Sequence, residues 1–179
     1  MTRRRRVNRI ALGIAVSGLI LSVSCVKKLP GSGERQPLSS STASAVRDSV
    51  RRFVLRVAQD VTRDGPSAWR SNFEEGDTFF MVAEGHLVFP SGDSATRAIA
   101  DLEHLIKSID LRWEAEPRVD ALTPDLAEVA VPFHELRTDW EGRQAEEEEM
   151  FTALAEFRSG SWKFRNAQWS RTNPGTAVK

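Results

Sequence analysis

Apolar residues recur along this chain with two periods, and the switch between them outlines the domain. Val46, Val50, Phe53, Val54, Val57 and Val61 are spaced 4, 3, 1, 3 and 4 residues apart, the stripe of an amphipathic helix. Arg47, Asp48, Arg51, Arg52 and Asp60 mostly take the opposite side. Gly65-Pro66 ends that helix, and Pro66 suits the first turn of a short second helix through Phe73, with Trp69 and Phe73 on its apolar face. Thr78–Val82 predicts a β-strand, with His86–Phe89 as its hairpin partner across Ala83-Glu84-Gly85. Pro90-Ser91-Gly92-Asp93 predicts a loop into a third helix, capped by Asp93 or Ser94. Ile99, Leu102, Leu105, Ile106 and Ile109 form the expected buried stripe of that helix.

Beyond Ile109 the period falls to two. Leu111–Val119, Ala127–Leu136, Glu148–Arg158 and Ser161–Ser170 predict four longer strands. Turn signals separate them at Thr123-Pro124-Asp125, Trp140-Glu141-Gly142 and Ser159-Gly160. Helices followed by a run of antiparallel strands predict an α+β domain, with the helices gathered on one face of the sheet.

The chain before the first stripe has a different character. Arg3, Arg4, Arg5, Arg6 and Arg9 precede an uncharged apolar run from Ile10 to Val23, which closes on small residues. A basic start, a short apolar stretch and a small-residue end describe a secretory signal peptide. The run is short for a transmembrane helix, which takes about 20 apolar residues. Leu21-Ser22-Val23-Ser24-Cys25 resembles the lipobox of bacterial lipoproteins. That resemblance implies that Cys25 becomes the first residue of the mature protein and carries acyl chains. A plain secreted protein and an uncleaved anchor are the alternatives. Val26, rather than an aspartate, follows the cysteine. By the same resemblance this implies an outer-membrane anchor facing the periplasm in a Gram-negative organism. Pro30, Gly31, Gly33, Pro37 and Ser39-Ser40-Ser41 fill the next stretch and predict a flexible tether. The expected organisation is therefore a signal peptide over 1–24, a tether over 25–42, a domain over 43–172 and a tail over 173–179.

Composition narrows the chemistry. The chain has 25 basic and 25 acidic residues, five of the basic ones within residues 1–24, so the mature chain carries 20 against 25, a formal charge of −5. This argues against nucleic acid as a partner, which needs a basic footprint, and leaves membrane attachment to acyl chains. Cys25 is the only cysteine, so the mature domain has no disulfide, no thiolate metal site and no cysteine nucleophile. No tyrosine is present, whereas tryptophan occurs five times.

The order of elements and the ending Gly160-Ser161-Trp162-Lys163-Phe164-Arg165-Asn166-Ala167-Gln168-Trp169-Ser170 resemble the nuclear transport factor 2-like superfamily, especially its SnoaL-like bacterial members. The hairpin with Gly85 and the Asp125-Leu126-Ala127-Glu128-Val129-Ala130-Val131 segment resemble that family's middle. The resemblance spans roughly Ser44 to Thr172. It implies a cone-shaped fold, three helices in the N-terminal half packed on a curved antiparallel sheet, with a pocket inside and dimers formed through the outer sheet face. The same cone hosts isomerases, dehydratases, cyclases and non-catalytic binders, so function rests on the pocket residues.

Ketosteroid-isomerase-like members of the family carry an acid on the first strand, and Thr78-Phe79-Phe80-Met81-Val82-Ala83 has none. His104 lies opposite the apolar stripe of its helix, and His86 stands beside a hairpin turn. His134 alternates with Pro132 and Leu136 and is the candidate general base, or else a sheet histidine with a backbone or carboxylate partner. Trp162, Phe164, Asn166, Gln168 and Ser170 share one face of the last strand by simple alternation. Neutral amides at Asn166 and Gln168 suit binding more than proton transfer. The Glu146–Glu149 run predicts a solvated hairpin end. No histidine pair has metal-ligand spacing, and neither a metal nor a cofactor is expected.

The expectation is a lipid-anchored cell-envelope protein. Its domain binds a small apolar ligand or a partner protein without catalysis, in a pocket lined by Trp69, Phe80, Trp113, His134, Phe164, Asn166 and Gln168. An enzyme of the SnoaL-like kind (isomerase, cyclase or dehydratase) with His134 as base is one alternative. A homodimer using the outer sheet face as a structural platform is the other.

Overall fold

The computed structural model describes residues 37–171. The signal segment, Cys25, the first part of the tether and the tail lie outside the described residues.

Helix α1 (Ser40–Asp64) starts inside the expected tether, because Ser39 caps it by accepting a hydrogen bond from the Thr42 amide at 3.1 Å. Its stripe of Val50, Phe53, Val54, Val57 and Val61 is fully buried. Gly65, at φ +71°, ends the helix, and α2 (Ser67–Asn72) follows it. A single 3-10 turn (Gly76–Thr78) then delays the first strand, so β1 covers Phe80–Ala83, later than the sequence pattern predicts. Strand β2 (His86–Phe89) completes the hairpin.

Helix α3 (Gly92–Leu105) is capped by Ser91, not by Asp93 or Ser94 alone. The Ser91 hydroxyl accepts from the Ser94 amide while the Ser94 hydroxyl accepts from the Ser91 amide, a reciprocal capping box. Gly92 packs so closely on the preceding chain that a Cβ there would lie 2.4 Å from the Glu74 carbonyl oxygen.

The expected apolar stripe of α3 runs past the helix end. Ile106 and Ile109 belong to strand β3 (Ile106–Trp113), and Leu105 is exposed. The single strand expected over 111–119 is divided. Strand β4 (Arg118–Thr123) begins only after an excursion that includes the buried Pro117. Both segments run antiparallel to β5 (Leu126–Asp139), end to end. Pro132 stands at the gap between them, where its missing amide interrupts no ladder bond on that side, and its carbonyl accepts from the Glu114 amide at 2.9 Å. Strands β6 (Gln144–Arg158) and β7 (Ser161–Arg171) complete the sheet.

The strand order is β2-β1-β7-β6-β5-β3, with β4 also on β5. One correction to the expected antiparallel sheet follows. Strand β1 pairs with β7 in parallel, Phe80 opposite Asn166 and Ala83 opposite Trp169, so the curved sheet is mixed.

All three helices lie in the N-terminal half, and α1 packs on β3 and β4. Polar side chains fix it there. The Thr62 hydroxyl accepts from the Leu111 amide at 3.0 Å and donates to its carbonyl at 3.3 Å. The Trp113 indole donates to the Val54 carbonyl, and the Trp162 indole to the Ser49 hydroxyl. These bonds satisfy buried polar groups that would otherwise oppose burial of the aromatic rings.

Candidate functional site

Alternation along β5 sends Val129, Val131, Phe133 and Glu135 to the inner face, all at 4 % exposure or less. A buried carboxyl in that row is the most unusual residue of the domain. It lines a cavity of about 60 Å³ at the helix-covered end of the sheet. Trp69 and Phe73 form one wall, from α2 and its end. Ile99 and Leu102 of α3 and Ile109 of β3 form another. Glu135, Arg137 and Trp169 close the sheet side. The lining is almost wholly apolar, and Glu135 and Arg137 are the charged residues at its edge.

The polar side belongs to a larger ionic row on the inner face. Arg137 Nε lies 3.2 Å from Glu135 Oε1, and Arg137 Nη2 pairs with Glu147 Oε1. Arg171 reaches Glu147 at 3.7 Å and Glu149 at 3.5 Å, and its amide donates to Glu84 Oε1 at 2.7 Å. Glu147 and Glu149 are here because alternation along β6 puts them on the same side as Phe151 and Ala153. This corrects the expectation of a wholly solvated acid run, since Glu149 is 5 % exposed.

Burial pushes the Glu135 carboxyl up to about 7; Arg137 opposes the shift, and the charges of Glu147 and Glu149 add to it. Burial also raises Glu149, with Glu147 and Glu84 adding and Arg171 opposing. Among the described residues the Trp169 indole nitrogen has no partner, while Arg137 Nε meets only the Glu135 carboxyl, at 3.2 Å. Arg137 Nε and the Trp169 indole nitrogen are both buried, and neither makes an aligned hydrogen bond.

The residues expected at the site divide between the two faces of the sheet. Trp69 lines the cavity, its ring centroid 5.6 Å from that of Trp169. Trp113 lies behind it, 5.7 Å from the Phe151 ring and edge-on to Phe133. Phe164 is fully buried 4.8 Å from Phe53, in the core instead of the cavity.

Phe80, Asn166 and Gln168 face the other way, around an open depression on the outer side of the sheet. The reason is a β-bulge in β7. Ala155 pairs with Phe164 and Leu154 with Asn166, so Arg165 is the extra residue and the alternation flips after it. Ala167 and Trp169 therefore point inward where simple alternation placed Asn166 and Gln168. Asn166 Oδ1 accepts from the Leu154 amide at 3.0 Å, a bond that supports the bulge. Phe80 is outside as well, because Phe79 and Met81 take the inner positions of this segment and alternation leaves Phe80 44 % exposed.

His134 is also outside the cavity. It stands on the outer face between Arg112 and Glu146, its Nε2 2.5 Å from Glu146 Oε1. A base at this position would face away from any ligand in the cone. Glu135, the next residue, takes the inner position. Its signal was available in the sequence: an acid continuing the Val129, Val131, Phe133 alternation. Trp169 and Arg137 carried no comparable signal, since one depends on the bulge and the other reads as a strand-end cation. Among the described residues no group of three or more His, Cys, Asp or Glu is placed to hold a metal ion.

No protein-family model and no curated protein matches this sequence. Solved structures do. A nuclear transport factor 2-like superfamily protein from Salmonella enterica serovar Typhimurium superposes with a TM-score of 0.62 at 11% identity, over 76% of this chain and 98% of that one. A hexachlorocyclohexane dehydrochlorinase is similar at a TM-score of 0.59 and 15% identity, over 78% and 95%. A ketosteroid isomerase-like protein from Erwinia carotovora atroseptica gives 0.55 and 13%, over 71% and 96%. At these identities the likeness is one of fold: the chain has the nuclear transport factor 2-like α+β cone. The cone serves enzymes and non-catalytic proteins alike, so it does not choose the chemistry.

Proposed function

We propose that this is a lipid-anchored protein of the cell envelope, held by acyl chains on Cys25, whose domain binds a small apolar ligand in the cone. The observation that carries the binding reading is an apolar cavity ending on a carboxyl that is 4 % exposed. The lipobox-like sequence supports the anchor, and no described helix is long and apolar enough to cross a membrane.

Binding is tested by native mass spectrometry of the full chain purified without refolding, beside Ile99→Trp, which fills the cavity. A small molecule retained by the parent chain and lost from the variant supports the reading. Equal occupancy in both would place the ligand elsewhere and end it. The anchor is tested by Cys25→Ser, which moves the protein from the membrane to the soluble fraction and removes the mass of the acyl chains. An unchanged distribution rejects lipidation.

A second reading is favoured by one observation. A carboxyl pushed up to about 7 in an apolar pocket is suited to general base or acid work near neutral pH. In that reading Glu135, and not His134, moves the proton in an isomerase- or dehydratase-type step. It predicts turnover with an apparent pKa near 7 that Glu135→Gln abolishes and His134→Ala leaves intact.

We further propose that a second copy of the chain covers the outer sheet face. Phe80, at 44 % exposure, lies there beside Val82 and Leu154 around the open depression. Phe80→Glu would convert such a dimer to monomer in analytical ultracentrifugation, and a monomeric parent chain would end the idea.

A further inference from the structure

We propose that the ligand is an elongated amphiphile: the end of its alkyl chain enters the cavity, and its ammonium head lies outside, over the Trp140 ring and beside Glu141. This rests on the reading of the cavity as a ligand site and names the chemical class that the site takes.

Size leads to a second compartment. An apolar cavity of about 150 Å³ holds benzene, so a cavity of about 60 Å³ takes the end of a chain and not a ring. The rest of a ligand has to lie beyond it. An open hollow of about 510 Å³ adjoins the cavity, and Ile106, at the start of β3, lines both. Two further elements carry the wall of one into the other. Leu102 of α3 lines the cavity, and Leu105, one turn on, lines the hollow. Along β5, Arg137 lines the cavity and Asp139, two residues on, lines the hollow. A chain whose end fills the cavity runs out over Ile106 into the hollow.

The hollow offers that chain an apolar frame. Leu105 at 62 % and Trp140 at 61 % are the most exposed large hydrophobic residues of the described domain, and both line it. A singly exposed apolar residue is ordinary; two that frame the continuation of an apolar cavity are not. Among the described residues the Trp140 ring meets no other ring and its indole nitrogen has no hydrogen-bond partner.

Charge decides the head. With histidine neutral at pH 7, the hollow carries Asp139 and Glu141 against Arg143, a net charge of 1 − 2 = −1. Both Asp139 oxygens are occupied by the turn. Oδ1 accepts from the Glu141 and Arg143 amides, and Oδ2 accepts from Arg143 Nε at 2.6 Å. Glu141 gives only Oε2 to Arg143, at 3.2 Å, and its side chain is largely exposed. An ammonium gains the Trp140 face by cation–π attraction and the Glu141 carboxylate by charge. A carboxylate head would meet Asp139 and Glu141 with the Arg143 charge already engaged, and a hydroxyl gains neither contact.

The test uses the full chain at pH 7 and three probes of one shape: hexylammonium, hexanol and hexanoate. NMR titrations give the affinities. The methyl signals of Ile99 and Ile109 report the cavity, and the Trp140 indole signal, assigned by its loss in Trp140→Leu, reports the hollow. Hexylammonium is expected to move both sets of signals with one dissociation constant. It should bind at least about fivefold tighter than the other two, the size of one cation–π contact at an open site. Trp140→Leu and Glu141→Gln each lower hexylammonium toward the affinity of hexanol and leave hexanol unchanged. Both side chains are exposed, so neither change threatens the fold.

Equal or tighter binding of hexanol or hexanoate would overturn the ammonium head, and shifts at Ile99 and Ile109 would still keep the pocket. Hexylammonium moving Trp140 alone, or the two isoleucines alone, would separate the compartments and overturn the proposal; the second case leaves the pocket reading in place. No binding by any probe, with Ile99 and Ile109 unmoved, would remove both the proposal and the pocket reading.

Discussion

The inner face of the sheet changes character half-way along β5, β6 and β7. One half carries Val129, Val131, Ala153, Ala155 and Phe164, all at 6 % exposure or less, in the main core. The other half carries Glu135, Arg137, Glu147 and Glu149 by the same alternation and Arg171 by way of the bulge in β7, beside a cavity under α2 and α3. The pairing of β5 with β6 runs unbroken through both halves, so strand pairing does not need the charges. A buried ion pair contributes little net stability compared with apolar packing of the same volume. The ionic half is thus the part of the face that folding alone does not explain, which is why the candidate site is placed there.

The comparison breaks most clearly in the apolar half. Phe164→Ala removes a fully buried ring from between Phe53 and Phe151 and is expected to cost about 3–5 kcal/mol in urea unfolding.

The ionic half responds to pH instead. Glu135 holds its proton up to about 7 in the folded chain, against an ordinary glutamate value of about 4.3 in the unfolded one. The folded state binds more protons between those values, so this contribution is complete below about 4.3 and is lost as pH rises through about 7. The shift corresponds to about 3–4 kcal/mol, and Glu135→Gln should remove most of that decline in denaturation curves taken between pH 4.5 and 8. An identical pH profile in the variant would show that the carboxyl is not held as described.

A smaller effect falls outside both halves. Gly92→Ala places a Cβ 2.4 Å from the Glu74 carbonyl oxygen, and the required backbone shift is expected to cost about 1–3 kcal/mol. Thermal melting measures it, and an unchanged Tm would mean the contact relaxes freely.

The smallest effect is expected on the outer face. His134→Ala breaks a pair with Glu146, whose side chain is 69 % exposed, and should change stability by less than about 1 kcal/mol. Ligand binding should not change. A large loss of binding would return His134 to the site.

The helices and the long strands were legible because each has a period that survives local error. The stripe of α1 and the alternation of β5 hold over many residues, and Gly65 and Gly85 mark breaks that only special backbone conformations satisfy. The same alternation also made Glu135 readable, as an acid in a row of buried positions. The edges were less legible. Ile106 and Ile109 fit a helical stripe and a strand equally well, and the gap between β3 and β4 appears in sequence only as an isolated proline.

The sequence by itself determined the α+β class, the order of the elements and the curved sheet's inner row up to Phe133, because these follow from local propensity and apolar periodicity. Tertiary structure decided the site. The extra residue at Arg165 reversed the second half of β7, carrying Trp169 inward and Asn166 and Gln168 outward. Phe79 and Met81, and not Phe80, took the inner positions at β1. Period-two patterns specify which residues share a face only while the register is unbroken. A single bulge inverts every position beyond it, and where a bulge falls is set by pairing with the neighbouring strand.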